Sequence, residues 1–279
     1  MKKAVGNFAV IGDPVKRSLS PKIHKLFAKQ HGKQIEYEKI RVTRGSFVDF
    51  VKAFFSGRGA GLNVTLPLKT EAFEIADSLD EDSRSCQAVN TLKPVNGMLS
   101  GFNTDGVGFL TDLETWHGIA VKDKRILLLG SGGAARGIVR PLLNREPKKL
   151  VIANRTHASA RALADQLNSE KFIGLKGLGL DDAQLLNKRF DIIVNATSVG
   201  HQNNEMPIDG DMLEDAVCYD LSYGPAASFS RWARSRGAKR SIDGLGMLIE
   251  QAAKSYEIWT GFSPNTESVR LKIKDDLDL

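Results

Sequence analysis

A glycine turn at the end of an apolar run carries the clearest chemistry in this sequence. The run, residues 126–129, has the length of a strand buried on both faces, and Gly130, Gly132 and Ala135 follow it at G-x-G-x-x-A spacing. Helix-compatible residues 134–143 come next. Strand, turn and helix in this order predict a dinucleotide site, because the free N–H groups and the dipole at a helix N-terminus favour a pyrophosphate. A glycine-rich turn without a ligand is the alternative.

The end of the next predicted strand indicates which dinucleotide would bind. In a site for NAD, an acidic residue near this position accepts a hydrogen bond from the ribose 2′-hydroxyl. Here the strand, residues 149–153, is followed by Asn154 and Arg155. An arginine offers a planar set of donors to a 2′-phosphate, which a carboxylate would repel. The sequence therefore favours NADP over NAD, although an arginine on an exposed loop is also common.

Two serines near the N-terminus could bind a carboxylate. Ser18 and Ser20 lie in the loop after the first predicted strand, residues 8–12. Ser20 also suits the N-cap of a helix in which Pro21 takes the first position. Capping explains Ser20 without any ligand, but it leaves Ser18 unexplained.

A hydroxyl and an ammonium follow another predicted strand, where open α/β sheets bind their ligands. Thr65 ends this strand, and Lys69 lies in the first turn of a helix that we expect to start at Pro67. A lysine there opposes the helix dipole, so its structural value is low. Asn90 and Asp105 are further candidates. Each of these polar residues, taken singly, is more often a turn former or a cap.

Alternating strands and helices must position these groups, which predicts an α/β protein. Asn96 and Gly97 are typical of a hairpin turn. A chain of 279 residues exceeds the usual size of one core, so two domains are expected. The C-terminal residues 244–279 hold two helical segments, too short for a core of their own, which must pack onto one of the domains. Further strands are predicted at residues 35–42, 62–65, 88–93, 98–102, 190–194 and 216–221, and further helices at 20–30 and 46–55.

Composition limits the class of protein. No apolar run approaches the roughly 18 residues that a membrane span needs, and no signal peptide is evident, so neither membrane insertion nor export is expected. The two cysteines, Cys86 and Cys218, have no metal-ligand spacing, which predicts no metal site and fits a reducing cytoplasm. The formal charge is +6, but the one basic cluster, residues 231–240, lacks interleaved aromatics. We expect a solvated helix face there, and no nucleic-acid partner.

Eight motifs in register resemble the shikimate dehydrogenase family over nearly the whole chain. Any one of them is weak, but their order along one chain is specific. They are SLSPKIH at 18–24, NVTLPLK at 63–69, AVNT at 88–91, GFNTDGVGF at 101–109, GSGGAAR at 130–136, NRT at 154–156, NATSVG at 195–200 and DGLGMLIEQ at 243–251.

The resemblance implies an oxidoreductase that uses NADPH to reduce 3-dehydroshikimate reversibly to shikimate, in chorismate and aromatic amino-acid biosynthesis. It implies an N-terminal substrate domain, formed by residues 1–104 with 245–279, and a Rossmann-type NADP domain, residues 105–244. The C-terminal helices would return to the first domain. The expected state is a cytoplasmic monomer or homodimer.

The resemblance also assigns roles to single residues. Lys69 and Asp105 would be catalytic, with Lys69 beside the reacting oxygen. The substrate carboxylate falls to Ser18 and Ser20 with help from Tyr223, and the ring hydroxyls fall to Thr65, Asn90, Asp105 and Gln251. The residues that would line NADP are Gly130, Ser131, Gly132, Gly133, Ala134, Asn154, Arg155, Thr156, Ser159, Thr197, Leu221 and Gly244.

Two positions depart from the family pattern. Ser159 stands where many members carry a second lysine or arginine, so the strictness for NADP depends on whether His157 or Arg161 substitutes. Gly224 stands where many carry asparagine, in the loop after Tyr223.

Two other functions are compatible with the same scaffold. A quinate/shikimate dehydrogenase of broader specificity usually has an acidic residue at the end of the second nucleotide-domain strand, and Asn154 argues against it. A non-catalytic NADP-binding regulator would not need Lys69 and Asp105.

Overall fold

The chain folds into two compact α/β units. The computed structural model describes residues 6–167, 174–182, 184–185, 188–197, 206 and 208–276. The first unit comprises Met1–Phe109 and Leu248–Leu279, and the second comprises Leu110–Met247. The chain passes between the two units after Phe109 and after Met247. The domain bounds expected from the sequence place these two points a few residues earlier, and those bounds remain a prediction.

The first unit is built on a mixed six-stranded sheet in the order β2-β1-β3-β5-β6-β4. Strands β2, β1 and β3 run parallel, and β5 runs antiparallel to both β3 and β6. Asn96 and Gly97 join β5 to β6 with φ of 51° and 81°, the left-handed pair that a tight hairpin requires, which confirms the predicted turn. The strands are β1 (Asn7–Gly12), β2 (Glu36–Arg41), β3 (Gly59–Val64), β4 (Ser78–Leu79), β5 (Thr91–Val95) and β6 (Met98–Phe102).

The second unit contains a parallel sheet in the order β12-β11-β10-β7-β8-β9, as a Rossmann-type fold requires. Its central strand β7 is the apolar run that the sequence singled out, and residues 126–129 are fully buried. The strands are β7 (Arg125–Leu129), β8 (Lys149–Asn154), β9 (Leu175–Gly179), β10 (Ile192–Asn195), β11 (Val217–Asp220) and β12 (Arg240–Ile242).

Helices connect the strands of both units. A π-helical turn, Thr111–Trp116, follows the fifth helix. Among the described residues, no helix has the length and apolar character to cross a membrane. The α-helices are α1 (Ser20–Gln30), α2 (Phe47–Ser56), α3 (Lys69–Ile75), α4 (Glu81–Cys86), α5 (Asp105–Leu110), α6 (Gly133–Leu143), α7 (His157–Leu167), α8 (Ser228–Ser235), α9 (Leu245–Thr260) and α10 (Thr266–Asp275).

The C-terminal helices pack onto the first unit, as the sequence predicted. Trp259 of α9 donates its indole N–H to the Leu92 carbonyl at 3.1 Å. The Gln30 side chain of α1 accepts from the Asn265 backbone N–H at 2.8 Å, just before α10. Trp259 also packs against Phe8 of β1 at 4.9 Å, so the short C-terminal segment shares the core of the first unit.

Two helix starts differ from the predictions. Helix α1 begins at Ser20 itself, with Leu19 as its N-cap and no capping side chain, so the predicted N-cap role of Ser20 is wrong. Its hydroxyl accepts from Ser18 Oγ and forms a hydrogen bond with Tyr37 of β2 instead. Helix α3 begins at Lys69 with Leu68 as its N-cap, so Pro67 precedes the helix rather than opening it. Lys69 still lies in the first turn.

Candidate active site

A nearly buried ion pair joins the first residues of two helices in the first unit. The Lys69 ammonium contacts the Asp105 carboxylate, with only 12% and 5% of their side chains exposed. Each residue is the first of a helix, Lys69 in α3 and Asp105 in α5. Asp105 is held further by its backbone N–H, which donates to Asn103 Oδ1 at 3.0 Å. The pair can therefore present a positioned proton donor to a ligand.

Asn90 joins this pair to its surroundings. Its Nδ2 donates to Asp105 Oδ1 at 2.9 Å and to Thr104 Oγ1 at 2.8 Å. Its Oδ1 accepts from the Thr104 backbone N–H at 3.0 Å. With 2% exposure, Asn90 is part of the wall of the site rather than a surface turn residue.

Gln251 reaches the same cluster from α9. Its Oε1 lies 3.3 Å from both Asn90 Nδ2 and Thr104 Oγ1, and its Nε2 donates to the Leu248 carbonyl at 2.8 Å. The C-terminal helix thus adds an amide to a cluster built by the N-terminal residues.

Ser18 and Ser20, the two serines that the sequence singled out, contact each other in the structure. Ser18 Oγ donates to Ser20 Oγ at 3.1 Å, and the Ser20 backbone N–H donates to Ser18 Oγ at 3.2 Å. Leu19 is the N-cap of α1 and Ser20 is the first helical residue, so the capping alternative for Ser20 loses its support, whereas Ser18 Oγ accepts the backbone N–H that opens the helix. Two adjacent hydroxyls at the start of a helix suit an anionic oxygen group.

Thr65 follows β3 directly and is half-buried. Its methyl group packs against Gly12, where an added Cβ would come within 2.5 Å of it, so position 12 has no room for a side chain beside this threonine. Seven of the predicted substrate residues belong to the first unit. The eighth, Tyr223, lies in the second unit, in the loop after β11.

Gly224, the departure beside Tyr223, has a physical explanation. Its φ is +59°, in the left-handed region. Glycine adopts this conformation freely and asparagine tolerates it better than most residues. The guanidinium of Arg231 donates to the carbonyls of Gly224 and Pro225 at 2.9 and 2.8 Å, which secures the loop. Arg231, a member of the basic cluster, thus binds backbone carbonyls of the same chain.

The sequence analysis missed four buried polar residues around Asn90: Asn63, Thr91, Thr104 and Ser255. Asn63 carried a usable signal, because it is a polar residue between two apolar ones within a predicted strand. The hydroxyls carried none, since serine and threonine are ordinary in either setting.

The glycine turn of the second unit has the form that a pyrophosphate requires. Gly130 has φ +104°, and a Cβ there would lie 3.0 Å from the Ala196 carbonyl oxygen. A Cβ at Gly132 would meet nothing within 4 Å, so packing alone does not demand glycine there. Helix α6 begins at Gly133, and Ala135 is fully buried against the sheet. The residues fit a dinucleotide phosphate at this helix start.

Three other predicted cofactor residues lie just after the carboxyl ends of strands in the same sheet. Thr197 donates through its N–H and Oγ1 to Asn195 Oδ1, at 3.1 and 2.6 Å. The carbonyl of Leu221 lies 2.3 Å from where a Cβ of Gly244 would stand, so the two backbones approach closely. Residues 198–200 of the NATSVG motif fall outside the described residues.

Asp220, the last residue of β11, is hydrogen-bonded to residues near these strand ends. It accepts from Asn195 Nδ2 at 3.2 Å and from the Ser222 N–H at 3.0 Å. Burial raises the pKa of its carboxyl to about 6, despite these hydrogen bonds.

The end of β8 offers a cation rather than a carboxylate. Asn154 Nδ2 donates to the Thr156 carbonyl at 3.2 Å, while Arg155 and Ser159 are exposed. Arg161 is also exposed and lies 3.7 Å from Asp165. This set of donors fits a 2′-phosphate better than a free ribose hydroxyl. In the described part of the chain, no three His, Cys, Asp or Glu side chains are grouped to hold a metal ion.

Comparison with protein families matches three consecutive segments of the chain. Residues 10–92 match the shikimate dehydrogenase substrate binding domain, and residues 114–217 match the family described as shikimate/quinate 5-dehydrogenase. Residues 244–270 match the shikimate 5′-dehydrogenase C-terminal domain.

Whole-chain relatives agree with these matches. The shikimate dehydrogenase (NADP(+)) of Vibrio atlanticus is 41% identical over 283 residues, covering 100% of both chains. A crystal structure of an Ael1 enzyme from Pseudomonas putida is 40% identical, with a TM-score of 0.86 over 96% of this chain and 97% of that one. A shikimate dehydrogenase solved in complex with NADP+ is 35% identical, with a TM-score of 0.86 over 99% and 98%. The chain belongs to the shikimate dehydrogenase family.

Proposed function

We propose that this protein is an NADP-dependent shikimate dehydrogenase, which reversibly reduces 3-dehydroshikimate to shikimate in aromatic amino-acid biosynthesis. The observation that carries the proposal is the nearly buried Lys69–Asp105 pair, surrounded by amides and hydroxyls suited to a polyhydroxylated ring. A binding-only regulator would gain nothing from burying such a pair, whose desolvation costs free energy. The protein works in the cytoplasm as a monomer or homodimer, without nucleic acid or membrane.

The substrate carboxylate binds at the Ser18–Ser20 pair, where hydroxyl donors adjoin the start of α1. The ring hydroxyls bind Thr65, Asn90, Asp105 and Gln251. These side chains offer both donors and acceptors, which matches hydroxyl groups that do the same.

Lys69 handles the proton. Bound NADPH supplies the hydride, and NADP accepts it in the reverse direction. As negative charge develops on the carbonyl oxygen, the Lys69 ammonium stabilises this charge and donates a proton to the oxygen. In the reverse direction the same amine accepts the hydroxyl proton. Asp105 keeps Lys69 in place through their contact, and Asn90 in turn holds the Asp105 carboxylate.

The second unit holds the cofactor. The N–H groups at the start of α6 bind the pyrophosphate, and Arg155 pairs with the 2′-phosphate. Thr197, Leu221 and Gly244, at the carboxyl ends of the neighbouring strands, line the rest of the site.

The test is an absorbance assay at the reduced-nicotinamide band with the purified protein. Shikimate and quinate are each offered with NADP and with NAD. We expect turnover with shikimate and NADP to exceed the other three combinations. Comparable turnover of quinate would identify the broader quinate/shikimate class, and cofactor binding without turnover of either acid would identify a regulator.

A further inference from the structure

Two polar side chains at adjacent strand ends of the second unit are joined to each other. Asn195 ends β10 and Asp220 ends β11; the two residues are partners in the sheet register, and both are fully buried. Asn195 Nδ2 donates to Asp220 Oδ1 at 3.2 Å. Backbone hydrogen bonds already hold the two strands together, so the side-chain pair is not needed for that purpose.

Each of these side chains also fixes the turn that follows its own strand. Asn195 Oδ1 accepts from the backbone N–H and from the Oγ1 of Thr197, at 3.1 and 2.6 Å. Asp220 Oδ1 accepts from the Ser222 N–H at 3.0 Å. Both are Asx turns, in which a side chain bonds the backbone two residues further on. The bond between Asn195 and Asp220 therefore joins two turns.

These two turns adjoin residues that the proposed function assigns to the cofactor site. The methyl group of Thr197 lies 3.3 Å from where a Cβ of Gly130 would stand, so the first turn packs against the glycine turn. In the second turn, the Ser222 carbonyl accepts from the Gly244 N–H at 2.8 Å. A shift of either turn would therefore move part of the wall of the cofactor site.

The strand order indicates which half of the dinucleotide these turns receive. In the proposed function, the pyrophosphate lies at the turn after β7, and Arg155, which follows β8, binds the 2′-phosphate of the adenosine half. Strands β10 and β11 lie on the other side of β7 from β8. Because a dinucleotide extends in both directions from its pyrophosphate, the nicotinamide half lies over the ends of β10 and β11.

We infer that Asn195 and Asp220 are positioning residues for the nicotinamide half of NADP, and that they do this by holding the turns at Thr197 and Ser222 in one arrangement. The inference rests on the proposed function and concerns only the cofactor. Hydride transfer depends on the orientation of the nicotinamide ring, so a loosened turn should impair both its binding and its reaction. A purely structural pair would affect the stability of the second unit without distinguishing between the two halves of the cofactor.

The experiment compares the whole cofactor with its adenosine half. The parent protein and Asn195→Ala, which leaves both donors of Thr197 without this acceptor, are titrated by calorimetry with NADPH and with adenosine 2′,5′-bisphosphate. We expect the Kd for NADPH to rise about five- to thirtyfold, which corresponds to the loss of one or two neutral hydrogen bonds. The Kd for the bisphosphate, which lacks the nicotinamide half, should stay unchanged. The kcat for shikimate oxidation should fall as well.

Asp191→Ala is the matched control in the same sheet. Asp191 immediately precedes β10, at the opposite end of this strand from Asn195. Its carboxylate accepts from the backbone N–H and the guanidinium of Arg125, at 2.7 and 2.9 Å. Its loss should lower the melting temperature and leave both dissociation constants as they are in the parent.

Variants of Asp220 test the other half of the pair. In Asp220→Asn, the amide oxygen can still accept from Asn195 and Ser222. Its NH2 group then faces the Ser230 N–H, which donates to Asp220 Oδ2 at 3.3 Å in the parent. Asp220→Ala loses all three bonds. Both variants should lower the melting temperature, but Asp220→Asn should recover most of the affinity for NADPH that Asp220→Ala loses.

If Asn195→Ala does not fold, Asn195→Ser takes its place. A serine accepts the N–H two residues further on in the same kind of turn, but more weakly, so the loss should be smaller and again confined to NADPH.

The possible outcomes separate this inference from the proposed function. If the parent binds NADPH and oxidises shikimate but Asn195→Ala binds NADPH equally well, the positioning role is wrong and the proposed function stands. An equal loss for NADPH and for the bisphosphate would also overturn it, because the damage would then not be confined to the nicotinamide half. If the parent does not bind NADPH, both the proposed function and this inference fail.

Discussion

The ammonium of Lys69 contacts the carboxylate of Asp105 across 36 residues of sequence, and each residue opens a helix. A carboxylate at a helix N-terminus is favoured by the helix dipole, but an ammonium there is not. Asp105 therefore offsets the unfavourable position of Lys69. The pair is nearly buried, so neither charge can be removed without leaving the other uncompensated. The protein therefore keeps a buried lysine at an electrostatically unfavourable position, which favours a catalytic role over a structural one.

Replacing Lys69 should remove the proton donor. Lys69→Ala is expected to lose about 10²–10⁴ in kcat, the usual value of a positioned general acid or base. Asp105→Asn should lower kcat and raise the substrate KM together. In a double-mutant cycle, the joint loss should fall well short of the sum of the single losses, because the residues act as a unit. Steady-state kinetics measure this, with NADP binding as the control for folding. A kcat within about threefold of the parent would place the proton donor elsewhere.

Replacing Ser18 should weaken substrate binding. Ser18→Ala removes one hydrogen bond to a charged group, worth about 1.5–3 kcal/mol, so the KM for shikimate should rise about ten- to hundredfold while the KM for NADP stays constant. Ser18 Oγ also accepts the backbone N–H of Ser20 at the start of α1, so the melting temperature should fall only modestly, through the loss of about 0.5–1.5 kcal/mol. Ser56→Ala, which removes an exposed hydroxyl bonded to the Lys52 carbonyl, is the matched control. Unchanged kinetics with a lowered melting temperature would instead indicate a structural role.

Replacing Arg155 should reduce the preference for NADP. Loss of a charge-assisted bond of about 1.5–3 kcal/mol predicts a fall of roughly ten- to hundredfold in the ratio of kcat/KM for NADP to that for NAD. Arg189→Ala is the control, since this arginine is exposed and pairs with Glu214 on the surface. Arg161→Ala tests whether a second cation compensates for Ser159. Discrimination equal to the parent in Arg155→Ala would contradict the assignment.

His24 should make the protein sensitive to acid. Its ring is fully buried and stacks on Tyr37 at 4.5 Å, and burial lowers its pKa from 6.5 to about 3, opposed in part by the Asn63 amide. Between pH 6.5 and pH 3, His24 is protonated in the unfolded chain and neutral in the folded chain. The stability is therefore complete above pH 6.5 and declines as the pH falls toward 3, by about 2–3 kcal/mol at pH 4.5.

The variant His24→Phe keeps an aromatic ring and has no proton to bind. Urea unfolding of the parent and the variant at pH 7.5 and 4.5 measures the difference. The free energy of unfolding of the parent, relative to the variant, should fall by about 2–3 kcal/mol on going to pH 4.5. Equal pH dependence in both proteins would show that His24 is not the group responsible.

Local features of the sequence determined the elements that depend on neighbours in the chain. The glycine turn before α6 was predictable because a left-handed φ at Gly130 and a small residue at Ala135 are requirements of one strand–turn–helix unit. The hairpin at Asn96 and Gly97 was predictable for the same reason. The eight motifs identified the family and the α/β class, and with them NADP as the cofactor.

Only the tertiary structure decided which polar groups meet. Asn63 and Ser255 are 192 residues apart, and their hydrogen bond exists only because α9 returns to the first sheet. The N-cap of α1 at Leu19 was likewise not predictable, because Ser20 starts the helix and its hydroxyl forms a hydrogen bond with Tyr37 of β2 instead of capping. Hydrogen-bond direction in a buried network depends on every acceptor around it, and that set is assembled by folding rather than written in any one segment.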